Sequence, residues 1–482
     1  MGAGETRRFA PSGAARRTVI RSALLATVAL AAIGGGASVA ETMNGALVKA
    51  YLTNPDINSQ RATVRQTDEG VPAANAGYLP KINATGNVGV AHQNGNIISP
   101  SSGSTASQYG YALGTLPRGY GVQATQTLFD GYQTINKIRG AESQVLGARE
   151  ELRNTEQNTL LSGVTAYMDV LQNSAIVDLD RNNVDVLKEQ LRETKDRFTV
   201  GEVTRTDVAQ AEASLASANA TLLSDQAVLE ASVATYRQVI GDEPKTLAPV
   251  KPLVRPLPKA LPEAVDISQV EHPAIVAQEH GVDAAMLSVK IAEGALYPQA
   301  SVSAQVGQNF DVGGTPGQRL FQAEITGQLT IPIYQGGAEY ASIRAQKEGL
   351  TVQELKASSV RDQIRQNVVA AWGRYQAAIG VVKAARASVA ANEVALAGVR
   401  EEAKVGQRTT LDVLNAQQAL LQARTQLVRA EHDQVVYSYS LVSTIGRLNV
   451  PTLGLAVAEY DPSVHFDQVK NKWIGVRTPD GK

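Results

Sequence analysis

The chain has no cysteine among its 482 residues, so it can form neither disulfides nor thiolate metal sites and offers no N-terminal cysteine for acylation. It has no basic excess either. Lys and Arg number 45 against 46 Asp and Glu, a formal net charge of −1, which argues against a nucleic-acid partner. Histidine is sparse: His92, His272, His280, His432 and His465 are scattered without ligand spacing, and no phosphate loop or nucleophile elbow occurs. No metal, cofactor or catalytic residue is therefore expected, and the chain does not read as an enzyme. Beyond Glu41 no apolar run approaches the roughly 20 residues a spanning helix needs, so any membrane crossing must be made by strands.

The one marked apolar run lies at the start. Arg7, Arg8, Arg16, Arg17 and Arg21 precede or open onto the apolar stretch 23–33, and Ser38, Val39 and Ala40 stand before Glu41. That order of charge, apolar core and small residues reads as a signal peptide over residues 1–40. Its removal takes five arginines and Glu5, leaving 40 basic and 45 acidic residues and a net charge of −5.

The rest of the chain is written twice. Phe129, Gly131, Arg139, Tyr167, Gly201, Asp207, Leu215, Leu222 and Gly241 recur 205 positions later as Tyr334, Gly336, Arg344, Trp372, Gly406, Asp412, Leu420, Leu427 and Gly446. A constant offset over so long a stretch implies two structurally equivalent repeats, here 41–241 and 266–447. Between them residues 242–265 are rich in proline and read as a stiff extended connector. Residues 448–482 show no long periodicity and are expected as a C-terminal segment that wraps the helical part or is partly loose.

Each repeat opens with a helical segment carrying Asn54-Pro55 or His272-Pro273, and closes it before Pro80 or Pro298. Period-two alternation then predicts strands over 81–92, 119–129, 298–309 and 320–333. In the third, Ala300, Val302, Ala304 and Val306 oppose Gln299, Ser301, Ser303 and Gln305. Each is about as long as a tilted membrane strand, although two hairpins half buried on a soluble core would show the same alternation. The first repeat carries extra residues in a polar stretch from Gln93 to Arg118, which is expected to be a loop.

Long helices are predicted over 132–199 and 337–405, each about 100 Å if continuous. Shorter ones follow over 204–240 and 409–446. Val208, Leu215, Leu222 and Leu229 stand seven apart with Ala211 and Ala218 between them, a heptad seam suited to close antiparallel packing. Trp372 and Tyr375 fit the same kind of seam and read as packing residues. Four strands cannot close a barrel, and an open sheet edge in lipid is costly, so lipid demands an oligomer.

Together, the repeat, the four strands, the helical rods, the strand exits Phe129-Asp130-Gly131 and Tyr334-Gln335-Gly336, and the Val-Gly turns before Thr-Asp-Val and Leu-Asp-Val resemble the TolC family of outer-membrane efflux proteins. The resemblance covers residue 41 to about 449. It implies a mixed α/β membrane protein: a homotrimer with a 12-stranded outer-membrane β-barrel continued by a 12-helix periplasmic α-barrel of coiled coils. It further implies an exit duct for a tripartite efflux pump or a type I secretion system of a Gram-negative bacterium. The implied partners are outer-membrane lipid, a periplasmic adaptor and an inner-membrane RND or ABC transporter.

Within that resemblance the two turns 200–207 and 405–412 form the periplasmic tip. Val200, Gly201, Val405 and Gly406 are then adaptor contacts. Asp412 matches the first of two aspartates lining the entrance, while the second position is Asn415, which weakens the ring. Arg408 matches the gate arginine, with Thr206 and Asp207 as its partners in a closing latch; the latch tyrosine is replaced by Ala403. A purely structural role also suits these residues, because Gly201 and Gly406 fit helix C-termini and Thr204 with Asp207, like Thr409 with Asp412, has capping-box spacing. The competing function is an exported trimeric coiled-coil stalk or adhesin, which would not conduct ions.

Overall fold

The computed structural model describes residues 40–99, 107–253, 257–312 and 316–481. The expected signal peptide lies outside the described residues but for Ala40. The first repeat comprises helices α1 (Met43–Thr53), α2 (Pro55–Asp68) and α3 (Gly70–Asn75), then strands β1 (Lys81–Val88), β2 (Ala91–Ser99), β3 (Ser107–Thr115) and β4 (Arg118–Phe129). Helices α4 (Gln133–Thr199) and α5 (Arg205–Ile240) complete it. The second runs α6 (Leu261–Glu271), α7 (Pro273–Gly294), β5 (Gln299–Phe310), β6 (Arg319–Thr330), α8 (Ala338–Lys404) and α9 (Thr410–Thr444); α10 (Val450–Leu453) and α11 (Ser463–Val469) follow.

Helices α4 and α8 each contain 67 residues, a rod of about 100 Å. No helix among the described residues is long and apolar enough to cross a membrane. Each rod is entered through two successive left-handed residues, Gly131 (φ 68°) and Tyr132 (φ 65°) in one copy, Gly336 (φ 74°) and Gly337 (φ 85°) in the other. A Cβ on Gly131 would lie 2.2 Å from the Gly294 carbonyl oxygen, so this position also excludes a side chain by contact. Asp130 then accepts from the Thr134 backbone N–H at 2.7 Å, satisfying a donor of the first turn of α4.

The core lies where the two repeats meet midway along the rods. Leu47 and Tyr51 of α1, Leu160, Val164 and Tyr167 of α4, Tyr236 and Ile240 of α5, and Tyr439 and Val442 of α9 are buried together. The proline-rich connector packs on this core through Leu247, Val250, Leu253 and Leu257. Its start is fixed by the Tyr167 hydroxyl, which lies 2.7 Å from the Glu41 carbonyl and 2.8 Å from that of Ala248.

At the far end of the rods, one antiparallel sheet has the order β1-β4-β5-β6. Register places Ile82, Ala124, Ala304 and Ile325 in one row and Ala84, Val122, Val306 and Ala323 in the next on one face. Rows of the other face read Asn83, Gln123, Gln305, Glu324 and Lys81, Thr125, Ser303, Thr326. One face is apolar and the other polar, as lipid outside and water inside require. Twelve-residue strands rise about 40 Å along their axes, and tilting leaves enough to cover an apolar band of about 25 Å.

The stretch Gln93 to Arg118, expected as a loop, differs. β2 and β3 pair from Ala91 with Thr115 to Ser99 with Ser107, giving a second hairpin and six strands rather than four. It continues the β1–β4 pair across a break at Pro117, which has no N–H to give the ladder, while the Gly89 N–H donates to the Pro117 carbonyl at 2.8 Å. A composition of Gly, Ser, Asn and Thr reads as loop, but a ladder already aligned by β1 and β4 can be extended with little further ordering cost.

Candidate functional site

At the opposite end of the rods the two helical turns have the same backbone. In the first, Gly201 (φ 79°) donates its N–H to the Phe198 carbonyl at 3.0 Å and Glu202 to that of Arg197 at 3.0 Å. In the second, Gly406 (φ 79°) donates to Ala403 at 3.1 Å and Gln407 to Glu402 at 2.9 Å. This double bond with a left-handed residue is the Schellman closure, which needs glycine because a Cβ penalises that conformation. The residues before the glycines, Val200 and Val405, are 70% and 71% exposed, too far out to serve packing within the chain.

The following helices start with reciprocal caps. Asp207 accepts from the Thr204 N–H at 2.8 Å while its own N–H donates to the Thr204 hydroxyl at 3.3 Å. Asp412 and Thr409 repeat this at 2.9 and 3.2 Å. The Thr204 side chain and backbone hold the Asp207 carboxyl below its ordinary range, and the Thr409 backbone and side chain do the same for Asp412. Both carboxylates therefore stay ionised, so a cap at this position is also a fixed negative charge.

Charged side chains are where the turns part company. Arg197 pairs with Glu202 at 3.1 Å in the first, whereas Arg408 pairs with Glu402 at 2.8 Å in the second. The bridge from Arg408 to Asp207 is not formed within this chain, although both residues line one cleft between the two turns, with Arg197, Glu202 and Thr204 beside Asp207 and Ala403, Lys404 and Thr409 beside Arg408. Glu402 is reached without crossing that cleft, which makes it the nearer partner in an isolated chain. Thr206 is exposed. Asn415 is not in this cleft: it lines a groove with Asp180 and Leu187 of α4 and Ser214 and Ala218 of α5.

Glu402 was not singled out by sequence reasoning, and the signal was available, since it stands 205 positions after Arg197 with the opposite charge. No group of His, Asp and Glu able to hold a metal ion occurs among the described residues.

The outer membrane efflux protein family profile matches residues 46–242 and 264–447, most of both repeats. The chain belongs to the outer membrane efflux protein family. Outer membrane efflux protein BepC of Brucella suis biovar 1 (strain 1330) is 43% identical over 475 residues, covering 98% of this chain and 100% of that protein. Outer membrane protein TolC of Escherichia coli (strain K12) is 22% identical over 428 residues, or 86% of this chain and 83% of TolC. The crystal structure of the Campylobacter jejuni CmeC outer membrane channel superposes with a TM-score of 0.72 at 15% identity, covering 89% of each chain. The expected TolC resemblance, fold and outer-membrane location are thereby borne out: this efflux protein is an outer-membrane exit duct whose sheet crosses the membrane and whose rods stand in the periplasm. Its family is one of channel-forming efflux proteins.

Proposed function

We propose that three copies of the chain close into one conduit whose periplasmic tip is both the gate and the docking site for its export partners. The observation that carries the closure is that the molecule has two unfinished flanks. β1 and β6 are the edges of the sheet, and every residue of both is exposed. Edge strands carry a row of unpaired N–H and C=O groups, which cannot face lipid. Joining β6 of one copy to β1 of the next satisfies both rows, and three copies of the four-stranded sheet make the twelve strands that a conducting lumen needs.

At the tip, Asp412 from each copy gathers on the threefold axis as a ring of fixed negative charge that selects and holds cations. Asn415, one helical turn further along α9, contributes no charge, so this ring is three carboxylates strong. Arg408 is the latch. In the closed trimer it crosses the cleft to Asp207 and Thr206, and Glu402 competes for it as the assembly opens. Val200, Gly201, Val405 and Gly406 form paired apolar knobs on which a periplasmic adaptor seats, linking the duct to an inner-membrane RND or ABC transporter in efflux, type I secretion or both. Single-channel recording in planar bilayers tests the gate: Arg408→Ala is expected to raise conductance, and unchanged conductance removes the latch.

A further inference from the structure

The C-terminal segment climbs one flank of the helical part and turns back on itself near the sheet. Going up, His465 contacts Asp68 at the end of α2 at 2.8 Å, and the Lys470 carbonyl accepts from the Asn75 side chain at 3.2 Å. Coming down, Asp480 meets Arg65 at 3.7 Å. The apex between these fixed points is Trp473-Ile474-Gly475-Val476, turned at Gly475 (φ 117°) and tied across its base by the Lys472 ammonium donating to the Arg477 carbonyl. It lies beside Pro72, Ala73, Ala76 and Leu79, and Leu79 is two residues short of β1.

Three apolar side chains crown this apex and find no cover in the chain. Trp473, Ile474 and Val476 are 75%, 74% and 100% exposed. Lys470, Lys472 and Arg477 flank them. An exposed tyrosine marks the same level at every strand foot of the sheet: Tyr78 before β1, Tyr132 after β4, Tyr297 before β5 and Tyr334 after β6. Amphipathic rings gather where hydrocarbon meets headgroups, so these four set the height of the periplasmic membrane face, and the apex reaches it. Apolar crown, basic flanks and height match one environment, an anionic phospholipid surface.

We propose that residues 470–477 are a lipid-binding foot: Trp473 and Ile474 enter the periplasmic leaflet of the outer membrane, and Lys472 and Arg477 meet the phosphates of anionic phospholipid, Lys470 being held by Asp467 at 2.7 Å. This rests on the strands crossing that membrane. The foot gives each chain a membrane contact separate from the barrel and braces the helical part against tilting beneath it.

The chain has two tryptophans, Trp372 and Trp473. Trp372 lies within α8 beside a core cluster midway along the rods, so Trp473→Phe isolates the signal of the foot, and its exposure leaves packing undisturbed. The full-length protein is reconstituted into bilayers containing phosphatidylglycerol with plain or brominated acyl chains. Bromine is expected to remove about half of the wild-type emission and almost none of the emission of Trp473→Phe, as an interfacial ring predicts. Equal quenching of the two proteins, or none, overturns the proposal. Emission that is shielded from acrylamide already in detergent and insensitive to bromine overturns it in favour of cover by a neighbouring subunit. Lys472→Gln with Arg477→Gln should reduce the bromine effect in phosphatidylglycerol and not in phosphatidylcholine bilayers; no reduction removes the headgroup contact.

Discussion

The two helical turns at the tip have the same backbone and different charges around it. Gly201 and Gly406 share a φ of 79°, and the Thr204–Asp207 and Thr409–Asp412 caps agree bond for bond. Yet Arg197 stands where the second copy has Glu402, and Val203 where it has Arg408. Duplication has kept what a helical turn needs for closure and let go what it does not. Charges that differ between positions of equal geometry are free of the demands of folding, which makes them the places to look for function. The same contrast recurs at the helices that open each repeat: Asn54 caps α2 through its amide oxygen at 2.8 Å, while His272 caps α7 through Nδ1 at 3.2 Å.

Breaking this pairing one side at a time gives the sharpest tests. Arg408→Ala should produce the largest rise in single-channel conductance, and Arg197→Ala little or none; equal responses would mean that the charge asymmetry carries no gating. Next, Asp412→Asn should lower cation selectivity and block by multivalent cations, with Asp207→Asn doing less. Retention of both properties after Asp412→Asn would leave that residue as a cap alone.

The two amino-terminal caps differ in their response to acid. Burial pushes the His272 pKa down from 6.5 to about 4, because the charged ring loses its hydration there, and the neutral ring is the form whose Nδ1 can accept the Ala274 N–H. Its folded value lies below its unfolded one, so its contribution is complete above pH 6.5 and is lost as pH falls towards 4. Thermal melts from neutral to acid pH should show His272→Asn losing less stability than the wild type, the difference reaching at most about 3 to 4 kcal/mol. A parallel pH profile would remove His272 as a source of acid sensitivity. The smallest effects belong to the glycines: Gly201→Ala and Gly406→Ala should each cost about 1 kcal/mol, and by the same amount, measured as a fall in melting temperature. Unequal costs would show that one turn bears more of the tip than the other.

Much of the architecture was legible because the chain repeats itself. A 205-residue offset matched both rods, both turns and both caps, while the alternation of Ala300 to Val306 marked a strand but suited a soluble hairpin as well as a membrane one. Pairing itself was less legible. β2 and β3 are written in residues that also make loops, and only their attachment to β1 and β4 turns them into a ladder. At the tip, the family resemblance singled out Arg408 and Asp207 but not Glu402, because an ion pair depends on which side chain lies within reach once the turn has closed. Asn415 illustrates the same limit: its position on α9 was plain, but its exposure to a groove with α4 and α5 follows from how the helices pack.

The equal length of α4 and α8 makes the pair of rods a ruler. Both are counted from a left-handed hinge at the strand foot, and both deliver a turn after 67 residues, so the two tips arrive at one level. One residue inserted in either rod would advance its tip by about 1.5 Å and swing its side chains through about 100°. Changes of length are therefore tolerable only in whole coiled-coil repeats and only in both copies at once. The distance from outer membrane to docking surface is in this sense written into the chain twice, and each copy proofreads the other.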